Sequence, residues 1–127
     1  MPVSNLFSAN APDPIGPYSQ AVLANGFLFT SGQLGVDPAT GSLTPGGVGA
    51  EARQALENLR HVLAAGNADF KDVTATVIYL TDLSSFTAVN EIYKEALGGH
   101  TPARTTVQVA ALPLGARIEI AMTACPG

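Results

Sequence analysis

The sequence predicts an α+β fold, with one mixed β-sheet and two helices on one of its faces. Two stretches, one over Val48–Ala65 and one ending at Leu97, repeat apolar residues at helical spacing. Short runs rich in β-branched and aromatic residues lie before, between and after them. The order is three strands, then helix, strand, helix and two strands. That order suits helices gathered on one side of a sheet.

Val3–Ser8 reads as a short first strand, followed by the turn-rich Ala9–Gly16. Tyr18–Leu23 and Phe27–Ser31 read as a hairpin closed at Asn25-Gly26, because both turn residues tolerate positive φ. Gly32–Gly47, with Asp37-Pro38 and Pro45-Gly46-Gly47, reads as loop. The first helix puts Ala52, Ala55, Leu56, Leu59, Val62 and Leu63 on one face and stops at Gly66-Asn67. Asp72–Thr81 reads as a buried strand. The second helix is expected to take Ser84 or Ser85 as N-cap, to turn Phe86, Val89, Tyr93, Ala96 and Leu97 inward, and to end at Gly98-Gly99. Thr105–Ala111 and Arg117–Thr123 are the last strands, read as pairing across Leu112-Pro113-Leu114-Gly115. Helices on one face leave the other uncovered, and a second subunit is the simplest cover.

Composition points the same way. The 127 residues fit one domain spanning 1–127, and only 13% are charged against 46% apolar, where about 25% charged is usual for soluble domains. So little charge favours self-association. The net charge of −4, with the basic residues scattered, argues against a nucleic-acid partner. No apolar run approaches membrane-span length, and Met1–Asn5 lacks the start of a secretory signal, so a soluble cytoplasmic protein with no membrane partner is expected. Cys125, the single cysteine, forms neither an internal disulfide nor a thiolate metal site alone.

From Ala96 to Gly127 the only charged side chains are Arg104, Arg117 and Glu119. An arginine in so charge-poor a setting needs an anion, either a structural carboxylate or the carboxylate of a ligand, which its planar fork grips bidentately. Glu119 stands between Ile118 and Ile120; if those face the core, it faces the uncovered side. There it either pairs with Arg104 or Arg117, or handles water and a proton. With the last strands paired, Glu119 falls opposite Val107, about 10 Å along the strands from Arg104. His61 and His100 show no metal-ligand spacing and read as surface residues. Tyr18, beside the rigid Gly16-Pro17, is either core or a pocket wall.

Five motifs then occur in order: Ile15-Gly16-Pro17-Tyr18-Ser19-Gln20-Ala21, Phe29-Thr30-Ser31-Gly32-Gln33, Val89-Asn90-Glu91-Ile92-Tyr93, Pro102-Ala103-Arg104-Thr105 and Ile118-Glu119-Ile120. Together, from about Ala11 to Ala124, they resemble the RidA branch of the Rid family, the reactive intermediate deaminases. The resemblance implies a bacterial chorismate-mutase-like fold, a homotrimer with clefts between subunits, and no cofactor or metal. It implies hydrolysis of the enamines and imines released by pyridoxal-phosphate enzymes to 2-oxo acids and ammonia. By resemblance Arg104 binds the substrate carboxylate and Glu119 activates water. Tyr18 walls the pocket, Asn90 lies near its mouth, and the backbones of Gly32 and Thr106 meet the substrate. Many relatives carry cysteine at Thr106, Arg and Lys at Ala111 and Leu114, and a second acid at Ala121. A non-catalytic module that uses the same clefts to hold small carboxylates or to dock on a partner protein is the alternative.

Overall fold

The computed structural model describes residues 2–127, which form nine strands and two α-helices. In chain order these are β1 (Ser4–Leu6), β2 (Ala21–Ala24), β3 (Phe27–Thr30), β4 (Gln33–Leu34), β5 (Val36–Asp37), β6 (Ser42–Leu43), α1 (Val48–Ala65), β7 (Val73–Leu80), α2 (Phe86–Leu97), β8 (Ala103–Gln108) and β9 (Ile118–Ala124). The main sheet runs β1-β2-β3-β9-β7-β8, with β4 also on β9; β5 and β6 form a separate ribbon. Every pairing is antiparallel except β7 with β8, which α2 connects.

The expected mixed sheet with both helices on one face is present. Ile118, Ile120 and Met122 of β9 and Ile78 and Leu80 of β7 are buried with Leu59, Leu63, Val89 and Leu97 of the helices. Helix α1 has the bounds its apolar spacing predicts. The β2–β3 hairpin turns at Asn25 (φ 52°) and Gly26 (φ 80°), the positive pair a tight hairpin requires.

Several expectations are corrected. Strand β2 begins at Ala21, leaving Tyr18 outside it and 53% exposed. The stretch read as loop holds β4, β5 and β6, each two residues long and too short for any periodicity. Helix α2 starts beside Ser85, but no side chain of Ser85 caps it; instead Asp82 accepts from Ser84 N at 2.9 Å and caps the short 3-10 turn ahead of it. Phe86 is exposed rather than part of the core.

The largest correction concerns the last two strands. They do not pair with each other, because β7 lies between them. The connecting segment arches over the end of β7: Val109 N donates to Leu80 O at 2.8 Å, and Thr81 N donates to Arg117 O at 3.1 Å. Val107 and Glu119 therefore flank Tyr79 from either side rather than facing each other.

Candidate active site

The register places Arg104 and Glu119 on opposite faces of the sheet. Arg104 and Met122 both lie beside Thr76, a row turned toward the helices, whereas Glu119 lies beside Tyr79, one odd step away. Two strand spacings and three residues separate them, which puts their Cα atoms about 14 Å apart. The site residues accordingly fall into two groups.

Glu119 belongs to the first. It lines an open pocket of about 730 Å³ together with Tyr18, Gly32, Ser31, Ile15 and Leu114. Gly32 lies where the β3–β4 segment bends along β9. A Cβ there would collide with the Glu119 carboxylate, so only glycine lets the carboxylate rest against this backbone. Among the described residues the Glu119 side chain has neither a hydrogen bond nor an ion pair. Burial pushes its carboxyl above the usual carboxylate range. Neither partner open to it from sequence is taken: Arg117 Nη1 donates to Glu51 Oε2 at 2.7 Å, and Arg117 N donates to Glu51 Oε1 at 2.8 Å. Glu51 is fully buried in α1 and so anchors the head of β9 two residues before Glu119. Gln20, also buried, donates to Pro12 O and Ser8 O and holds the Pro12–Ile15 wall of the pocket in place.

Arg104 organises the second group. Its guanidinium lies 5.5 Å from the Phe86 ring centroid and 5.1 Å from that of Tyr93, both on α2. Tyr93 OH donates to Thr76 Oγ1 at 2.9 Å, which fixes the ring; burial is the main cause raising the phenol above its usual range. Among the described residues no carboxylate pairs with Arg104. Asn90 shares the helix face of Phe86 and Tyr93 by its spacing of four and three residues. Thr106, two residues beyond Arg104 on the same side of β8, has a buried Oγ1 without a hydrogen-bond partner.

The residues singled out from sequence thus fall into two groups: Tyr18, Gly32 and Glu119 in one, Arg104, Asn90 and Thr106 in the other. Phe86, Tyr93, Glu51 and Gln20 were missed. The two aromatics read as core because they follow helical spacing, and nothing local marks a buried glutamate or glutamine as an anchor. Among the described residues no group of three or more His, Cys, Asp or Glu side chains is placed to hold a metal, and no helix is long and apolar enough to cross a membrane.

The family model described as endoribonuclease L-PSP matches residues 8–125. The chain belongs to this family. Within the L-PSP family its relatives include the Homo sapiens protein named 2-iminobutanoate/2-iminopropanoate deaminase, 50% identical over 94% of this chain and 88% of that protein. A solved Rid-family protein from Yersinia pestis superposes with a TM-score of 0.95 at 39% identity, covering 98% of this chain and 99% of the other. The structure of E. coli TdcF with bound serine superposes with a TM-score of 0.93 at 36% identity over 98% and 99% of the two chains. The L-PSP relatives bear out the Rid resemblance drawn from the five motifs.

Proposed function

We propose that this L-PSP chain is a cytoplasmic deaminase that hydrolyses 2-imino acids, 2-iminobutanoate and 2-iminopropanoate among them, to 2-oxo acids and ammonia. The observation that carries the reading is a pair of charges on β8 and β9, Arg104 and Glu119, that find no counter-ion among the described residues. A buried carboxylate or a caged guanidinium without a partner costs stability unless a ligand uses it. The name borne by half-identical relatives supports the same chemistry.

A single small acid cannot bridge about 14 Å across a sheet. The two half-sites serve one substrate when a neighbouring copy brings its Arg104 edge against the Glu119 pocket. This supports a chorismate-mutase-like homotrimer, with clefts between subunits and the open sheet face turned inward. In such a cleft Arg104 grips the substrate carboxylate and fixes C2 beside Glu119. Gly32 and Thr106 offer backbone groups, Asn90 lies near the mouth, and Tyr18 closes one wall.

Glu119 then takes a proton from water as the water oxygen bonds to C2 and the C=N π electrons move onto nitrogen. Glu119 returns that proton to nitrogen, giving the carbinolamine, which then collapses: Glu119 takes the hydroxyl proton as the C=O bond forms and passes it to the amino nitrogen as the C–N bond breaks, so nitrogen leaves as ammonia. Imine and water enter; 2-oxo acid and ammonia leave. Enamine substrates tautomerise to the imine first. A carboxyl raised above its ordinary range suits both halves of this transfer.

The family description names an endoribonuclease, yet the net charge of −4 disfavours a phosphate backbone, and among the described residues three of the six basic side chains are paired with carboxylates: Arg60 with Glu57, Arg117 with Glu51 and Lys71 with Asp69. The deciding assay couples the protein to a serine or threonine dehydratase and follows 2-oxo acid release. Wild type accelerates release, while Arg104→Ala and Glu119→Ala fall by about 10²-fold or more. Full activity in the Arg104 variant overturns the site. Retained binding of pyruvate with no acceleration of hydrolysis overturns catalysis in favour of a carboxylate-holding module.

A further inference from the structure

The turn ahead of β9 carries a residue that its own geometry disfavours. Pro113 O accepts from Ala116 N at 3.0 Å, and both residues between have positive φ, 61° at Leu114 and 70° at Gly115. This is a type I′ turn, whose first central position suits Asn, Asp or Gly. A leucine there strains the backbone. Core burial does not explain it either, because Leu114 is 64% exposed. What Leu114 does have is a position on the wall of the Glu119 pocket, along with Ile15, itself 84% exposed, and Tyr18. Three large apolar side chains thus stand open to water around one carboxylate.

We propose that Leu114 is a specificity-determining residue of this site, selecting with Ile15 and Tyr18 for 2-imino acids that carry branched-aliphatic or aromatic side chains. The inference rests on the deaminase reading and deepens it. With the substrate carboxylate on Arg104 and C2 beside Glu119, the substrate's own side chain is the part left to meet the apolar wall. A methyl group covers little of that wall. An isobutyl or benzyl group removes it from water, a gain of about fourfold per methylene buried.

The test is the ratio of kcat/KM for leucine- and phenylalanine-derived imines to that for the alanine-derived imine, each released in situ by an amino-acid oxidase. Wild type, Leu114→Asn and Leu114→Met are compared, with denaturation by urea alongside. Wild type is expected to favour the larger imines, and Leu114→Asn to lower the ratio about tenfold. Leu114→Met keeps it, since only an apolar wall is required. Leu114→Asn is also at least as stable as wild type, because asparagine tolerates the left-handed region. A stability gain with an unchanged ratio, an equal loss on every imine, or a wild type that favours the alanine-derived imine overturns the selectivity while leaving the deaminase standing. A wild type inactive on all three imines overturns the deaminase reading and the selectivity with it.

Discussion

Glu119 is partly buried, has no counter-ion among the described residues, and its carboxyl is raised by desolvation. A carboxyl whose folded pKa lies above its unfolded value costs stability once ionised. The cost is absent below the unfolded value and appears as pH rises through the folded one. Glu119→Gln should therefore be more stable than wild type at pH 7, with the gap closing as pH falls below the raised value; parallel urea titrations at several pH values check this. The same substitution should lower kcat/KM by about 10²–10⁴-fold. It should also remove an acid limb that, in wild type, lies above the range of an ordinary glutamate. Thr106 offers a second single-residue case. Its buried hydroxyl has no partner among the described residues, so Thr106→Val leaves stability unchanged or raises it by about 1 kcal/mol, whereas loss of a satisfied hydroxyl costs that much or more.

At the scale of elements, legibility followed how local the information was. Helix α1 was readable to both ends because its burying face repeats every three or four residues and Gly66-Asn67 stops it. The neighbours of β9 were not readable. A Leu-Pro-Leu-Gly connection looks like a hairpin turn, but what decides the pairing is the apolar length of β7, able to hydrogen-bond along both edges. Arg104 and Glu119 stood out as isolated charges; that they lie on opposite faces followed only from that pairing. The anchor of β9 was equally hidden, since Glu51 and Arg117 are far apart in sequence. This pair tests the element directly. Glu51→Gln keeps an acceptor for Arg117 N and should cost about 1 kcal/mol in urea denaturation. Arg117→Ala leaves a fully buried carboxylate without its cation and should cost more, about 2 kcal/mol or above, given that the arginine is itself half exposed. The opposite ranking would show that the arginine's charge is not what holds the strand.

For the whole molecule, the face opposite the helices presents Phe27, Phe29 and Val107 to water, each more than a third exposed, with Glu119 on the same face. A surface of this kind on a chain with 13% charged residues is suited to burial against another copy. The proposed cleft makes a demand that a site within one chain does not. If Arg104 and Glu119 reach one substrate from different subunits, two inactive variants repair each other. Arg104→Ala and Glu119→Gln are each purified inactive, mixed in equal amounts, dissociated in mild denaturant and reassembled. Random assembly gives each cleft one chance in two of an intact Arg104 and one in two of an intact Glu119, so about a quarter of wild-type activity should return. Reassembly of either variant alone restores nothing. A mixture that stays inactive while sizing shows mixed oligomers would place both residues in a cleft formed by one chain, against the 14 Å and the intervening strand. Recovery near a quarter, dependent on exchange, would tie the proposed chemistry to the assembly, because Arg104 and Glu119 lie on opposite faces of one chain's sheet.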